Sequence, residues 1–114
     1  MENSEKISRY RTIIQEILGV YASYKHRYGD IEVQAIFDIE RDHYQILDVG
    51  WDGKERVFGC SMHLDIKDGK IWIQLNNTEV EIGPELVEKG IPKEDIVVGF
   101  QPPYIRKVSG YAVV

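Results

Sequence analysis

The sequence predicts an α+β fold: an antiparallel four-strand meander sheet, with a long N-terminal helix and short C-terminal helices packed on one face. Three observations predict it. Apolar residues recur at helical spacing up to about Ser23, the period changes to two between Ile31 and Leu75, and the pairs Asp52-Gly53 and Asp68-Gly69 interrupt that alternation. An Asp-Gly pair between alternating apolar runs marks a hairpin, because both central residues of a type I′ turn need positive φ.

Ser4 is the expected N-cap of the helix, and Ile7, Tyr10, Ile14, Ile17, Leu18 and Tyr21 form one apolar stripe, so a helix is predicted from Glu5 to about Ser23. Gly19 weakens its interior by about 1 kcal/mol relative to Ala, which suggests close packing or an early bend. The helix ends by Gly29-Asp30. In the first strand Ile31, Val33, Ala35, Phe37 and Ile39 share one face, and Glu40-Arg41-Asp42 reverses the chain. The second strand offers Leu47, Val49 and Trp51 on one face and Tyr44, Ile46 and Asp48 on the other. A two-residue turn near Asp52-Gly53 pairs odd positions of strand two with Phe58, Cys60, Met62, Leu64 and Ile66 of strand three. The next turn pairs those with Ile71, Ile73 and Leu75, so every apolar set lands on one inner face. The outer face then holds Ile36, Tyr44, Ile46, Val57 and Trp72 among polar residues. A short helix opening at Gly83-Pro84, a brief turn through Asp95, an extended Ile96-Val97-Val98 and a polyproline-like Pro102-Pro103 complete the chain.

The chain of 114 residues is expected to form a single domain over 1–114, which buries roughly two-thirds of the surface its unfolded form exposes. The net charge of -5 and a pI near 5.2 disfavour strong general affinity for nucleic acid. The acidity is concentrated in residues 31–99, which carry 15 acids against 7 bases, whereas both ends are mildly basic. The lone Cys60 gives no internal disulfide, and no signal-peptide core or bilayer-length apolar run is visible, so a cytoplasmic protein without membrane contact is expected.

No motif carries chemistry by itself. Ser61, His63 and Asp65 alternate along one strand, where side chains about 7 Å apart point in parallel rather than converge as a triad requires. Asp48 with Asp65-Ile66-Lys67 matches a nuclease pattern on paper. The meander register sets Asp48 opposite about Val57, however, some 27 Å from Asp65 at about 3.4 Å per residue. His26, His43, His63 and Cys60 show no paired ligand spacing, so no metal, cofactor or catalytic residue is expected. Basic residues interleave with aromatics at Tyr24-Lys25-His26-Arg27-Tyr28 and Tyr104-Ile105-Arg106-Lys107. Lys25, Arg27, Arg106 and Lys107 are therefore the candidates for a DNA contact. The mixed outer face, with Ile36, Tyr44, Ile46, Val57 and Trp72, is the candidate surface for a protein partner.

The runs Glu40-Arg41-Asp42-His43-Tyr44-Gln45, Val49-Gly50-Trp51-Asp52-Gly53, His63 through Gln74, and Gly90-Ile91-Pro92-Lys93-Glu94-Asp95-Ile96-Val97 with Pro102-Pro103 resemble the XisI family of cyanobacterial excision controlling factors. The resemblance extends from the Tyr10-Arg11 helix to Tyr111-Ala112-Val113. It implies an accessory, non-enzymatic role in programmed excision of a DNA element during heterocyst differentiation, where a separate recombinase cuts and rejoins the DNA. The partner it implies is an XisH-like, nuclease-like protein; self-association and direct DNA binding as a directionality factor are further expectations. The resemblance supplies no catalytic or ligand residue.

Overall fold

In the computed structural model, which describes residues 2–24 and 29–114, one long helix crosses a five-stranded sheet in the order β1-β2-β3-β4-β5. Helix α1 spans Glu2–Ala22, so Ser4 lies within its first turn rather than capping it. At its other end the Ser23 amide and hydroxyl both donate to the Val20 carbonyl, tightening the last turn. A Cβ placed at Gly19 meets nothing, so close packing does not explain that glycine.

Strands β1 (Asp30–Asp38), β2 (His43–Asp52), β3 (Glu55–Lys67) and β4 (Lys70–Asn76) form the antiparallel meander. Their turns follow from side-chain chemistry. Asp38 accepts the Glu40 and Arg41 amides, and Asp42 takes φ of 61° to finish the reversal. Asp68 and Gly69 both have positive φ, as type I′ demands. Asp52 instead pairs with Glu55, leaving Gly53-Lys54 as the loop with positive φ at Gly53 alone, the pattern of a type II′ turn.

The sheet departs from the expected meander in two ways. A fifth strand, β5 (Ile96–Val98), adds parallel to β4, so the sheet is mixed. The register also shifts within β3: Leu47 pairs with Cys60, but Ile46 pairs with Met62, and Ser61 is the extra residue of a bulge. That one residue reverses parity along β3. Tyr44 and Ile46, expected outside, share the helix-covered face with Met62, Leu64, Ile71 and Ile73, and Tyr44 and Ile46 are 0% and 2% exposed. Leu47, Val49, Trp51, Phe58 and Cys60, expected inside, lie on the uncovered face. A second shift, between His63 and Leu64, pairs His63 with Leu75 and brings Leu75 to that face too.

Tyr10, Ile14, Leu18, Leu64, Leu86 and Ile96 are fully buried in the core between α1 and the sheet. Each such side chain contributes about 1.5–3 kcal/mol relative to exposure. Helix α2 (Ile82–Glu88) closes one end, and its Gly83 is buried where a Cβ would come within 2.5 Å of the Tyr111 hydroxyl. A single 3-10 turn, Lys93–Asp95, precedes β5 and places the Asp95 carboxylate to accept the Tyr10 hydroxyl. Pro102-Pro103 is not a polyproline passage: Pro102 is extended, and Pro103 begins the one-turn helix α3 (Pro103–Arg106), where its missing amide costs nothing. The molecule is elongated, with extents of 48 × 32 × 23 Å and a radius of gyration of 15.0 Å, above the value of about 13 Å for a compact chain of similar length.

Candidate functional site

The face of the sheet turned away from α1 is laid out in rows by strand pairing. Asp30, Trp51 and Arg56 form the row nearest the hairpin tip; Glu32, Val49 and Phe58 form the next; then come Gln34, Leu47 and Cys60. Ile36, Gln45 and His63 follow, and the last row is Asp38, His43, Asp65 and Trp72. This order depends on the Ser61 bulge, which slides the second half of β3 by one residue so that Asp65 lies directly across from His43.

The tip half of this face is apolar and aromatic. Trp51 and Phe58 are 50% and 68% exposed, and the Arg56 guanidinium lies 5.3 and 5.9 Å from their ring centroids, held there by donation to the Gly50 carbonyl. Ile36 is 44% exposed, while Leu47, Val49 and Cys60 are half-buried between these groups. Burial raises the Cys60 thiol, whose Sγ–H donates to the Met62 carbonyl.

The other half is polar and tightly bonded. The Asp65 Oδ1 stands 2.7 Å from His43 Nδ1 and 2.7 Å from His63 Nε2, and Gln74 donates to its other oxygen at 3.2 Å. Gln45 Nε2 is 3.0 Å from His63 Nδ1, which makes that nitrogen the acceptor and Nε2–H the donor to Asp65. Burial alone would raise the Asp65 carboxyl; hydrogen bonds from the two histidines and Gln74 outweigh it and hold the group low. The same Asp65 bond raises His43. The expectation that His63 and Asp65 point in parallel without meeting is thus corrected: the imidazole of His63 is long enough to lean along the strand and reach the carboxylate two residues on. Ser61 stands apart, donating to the Ile46 carbonyl.

The remaining candidates separate. Of the five residues assigned to a partner surface, Ile36 and Trp72 occupy the uncovered face; Tyr44, Ile46 and Val57 share the parity of the opposite face, Val57 pairing with Gly50. Trp72 is half-buried between Lys67 and Arg106, whose cationic groups lie 4.8 and 5.3 Å from its ring. Arg106 also donates to the carbonyls of Val98, Gly99 and Val114, so its fork fastens the C-terminal segment rather than facing solvent as a phosphate ligand would. Lys107 is exposed, and Lys25 and Arg27 lie outside the described residues. Asp48 pairs with Gly59 rather than Val57, six positions before Asp65, and lies on the helix side of the sheet, so the two carboxylates do not share a face. On that side a cleft of about 380 Å³ is lined by Tyr21, Tyr24, Val33, Ile46, Asp48 and Met62 among others. No helix among the described residues is long and apolar enough to cross a membrane.

Sequence reasoning missed Trp51 and Phe58 as surface residues because they belonged to an unbroken alternation that looked like core. It missed the His43 to Asp65 pairing because that pairing exists only after the bulge.

Comparison with known proteins bears on the whole chain. Residues 4–113 match the XisI protein family model. A solved structure of a XisI-like protein from Anabaena variabilis is similar over 95% of this chain and 99% of its own, with 46% identity and a TM-score of 0.88. A second, described as the fdxN element excision controlling factor XisI from Anabaena variabilis, is similar over 96% of this chain and 99% of its own, with 37% identity and a TM-score of 0.82. None of the curated proteins compared is significantly similar. A family model and two solved structures that agree with this chain along nearly its full length lead to one conclusion: the chain belongs to the XisI family.

Proposed function

We propose that this chain is an accessory, excision-controlling protein that acts without catalysis of its own, through protein contacts, in the programmed excision of a DNA element. The observation that carries the reading is the exposure of Ile36, Trp51 and Phe58 on the part of the sheet face that no other described element covers. Exposed aromatics around half-buried aliphatic groups, with Arg56 stacked between the rings, have the composition of an interface centre. Asp30 and Glu32 flank that centre through their pairing with Trp51 and Val49, so the surface suits a partner with a basic rim. The likeness to a protein described as an excision controlling factor supplies the process. The partner implied by the family resemblance is an XisH-like protein, and the setting is heterocyst differentiation.

Direct DNA binding is less well supported. The Arg106 donors are engaged, the face that exposes aromatics is flanked by carboxylates, and the overall charge of -5 opposes a phosphate backbone. The test is co-purification with the XisH-like protein. Phe58→Asp and Trp51→Ala are expected to lose the partner, whereas Val20→Asp on the exposed side of α1 retains it. Retention by all three variants would remove the uncovered face from the proposal.

A further inference from the structure

We propose that His43, His63 and Asp65 form a binding site for a divalent transition-metal ion of the zinc class on the uncovered face of the sheet. One donor atom from each residue lies within 4.8 Å of the other two, and the Asp65 oxygen is 2.7 Å from both imidazole nitrogens. Tetrahedral zinc with metal–donor bonds of about 2.0–2.2 Å separates its ligands by about 3.4 Å. The two Asp65 contacts therefore need to open by less than about 1 Å, and the two imidazole nitrogens, within 4.8 Å of each other, to close by no more than about 1.4 Å, a side-chain adjustment on strands that stay paired.

The proton balance is equally short. Ligation takes the lone pair of the nitrogen that now donates to Asp65, so each neutral ring carries its proton on its other nitrogen instead. For His43 that nitrogen is Nε2, on a side chain 53% exposed to water. For His63 it is Nδ1, beside which the Gln45 amide is already placed at 3.0 Å; rotated, its oxygen accepts the new N–H. Gln74 holds the second Asp65 oxygen at 3.2 Å, so two of the three ligands have an orienting partner, as metal ligands do. Two imidazoles and one carboxylate select zinc-class ions over calcium or magnesium, which prefer all-oxygen sites. Because the described residues provide three ligands and zinc takes four, at least one position is left for water or another donor.

The test is zinc titration of chelator-treated protein against a chromophoric competitor. One zinc per chain is expected, with His43→Gln and His63→Gln each weakening binding at least about 10-fold and His26→Gln binding like the parent. In parallel, zinc is expected to shift the ring resonances of His43 and His63 in the unaltered protein, a readout that stands even where a variant fails to fold. Absence of stoichiometric binding, parental affinity in the folded His43→Gln and His63→Gln variants, or shifts confined to the third histidine would each overturn the proposal.

Discussion

Replacing Asp42 by Asn probes the ion pair that ties the helix to the β1–β2 turn. Asp42 accepts both Nε and Nη2 of Arg11, at 2.7 and 3.1 Å, and the Tyr44 hydroxyl at 2.9 Å. Asn keeps an oxygen for Tyr44 and Arg11 Nε and tolerates the φ of 61° at this position, so the loss is the charge together with the Arg11 Nη2 hydrogen bond, which the Asn Nδ2 cannot accept. A hydrogen bond to a charged partner contributes about 1.5–3 kcal/mol. The Arg11 side chain is 35% exposed, and solvent screening reduces the expected loss to about 1–2 kcal/mol at neutral pH. The pH dependence has a definite sign. The Arg11 hydrogen bond, with that of Tyr44, holds the Asp42 carboxyl below its ordinary 3.8. The stabilisation is therefore fully present above 3.8 and disappears as pH falls through the lower folded value. Urea unfolding of both proteins, stepped from neutral pH down to about pH 2, measures the difference directly, because other carboxylates titrate in both and cancel. A loss that stays constant down to the lowest pH, or no loss at pH 7, would refute the charge argument.

Further perturbations test the register. Ile46→Ala is expected to destabilise by about 2–4 kcal/mol and Phe58→Ala by about 0.5 kcal/mol or less, measured by denaturant unfolding; the reverse order would restore the expectation that Phe58 is core. Gly50→Ala places a Cβ 2.1 Å from the Asp30 carbonyl oxygen, a backbone atom that can yield only if β1 and β2 part. A loss of about 2–3 kcal/mol or more is expected by thermal unfolding, and parental stability would contradict the close pairing.

The α+β class was legible in the sequence because its signals are local: the helical stripe from Ile7 to Tyr21, the change of period at Ile31 and the Asp-Gly turns each act over a few residues. The facing of the sheet was only partly legible. Phe58, Cys60, Met62, Leu64 and Ile66 alternate without interruption, and a bulge at Ser61 divides them between two faces without breaking that pattern. Strand β2 is apolar on both parities, Tyr44 and Ile46 on one and Leu47, Val49 and Trp51 on the other, so it could not decide between them. Turn parity without a bulge sets Trp51 inside and Tyr44 outside. The fifth strand escaped because Ile96-Val97-Val98 is short and pairs in parallel with β4 across a long connection, a non-local choice. The site suffered most, since the uncovered face and the contact of His43 with Asp65 both depend on that single inserted residue.

The central claim is that the uncovered sheet face meets a protein. Photo-crosslinking with p-benzoylphenylalanine in place of Phe58, in cells that contain the XisH-like protein and the DNA element, tests it most directly. The account predicts a covalent adduct with the XisH-like protein from Phe58 and none from the same probe placed at Val20 on α1. Adducts to DNA alone, or equal adducts from both positions, would contradict it.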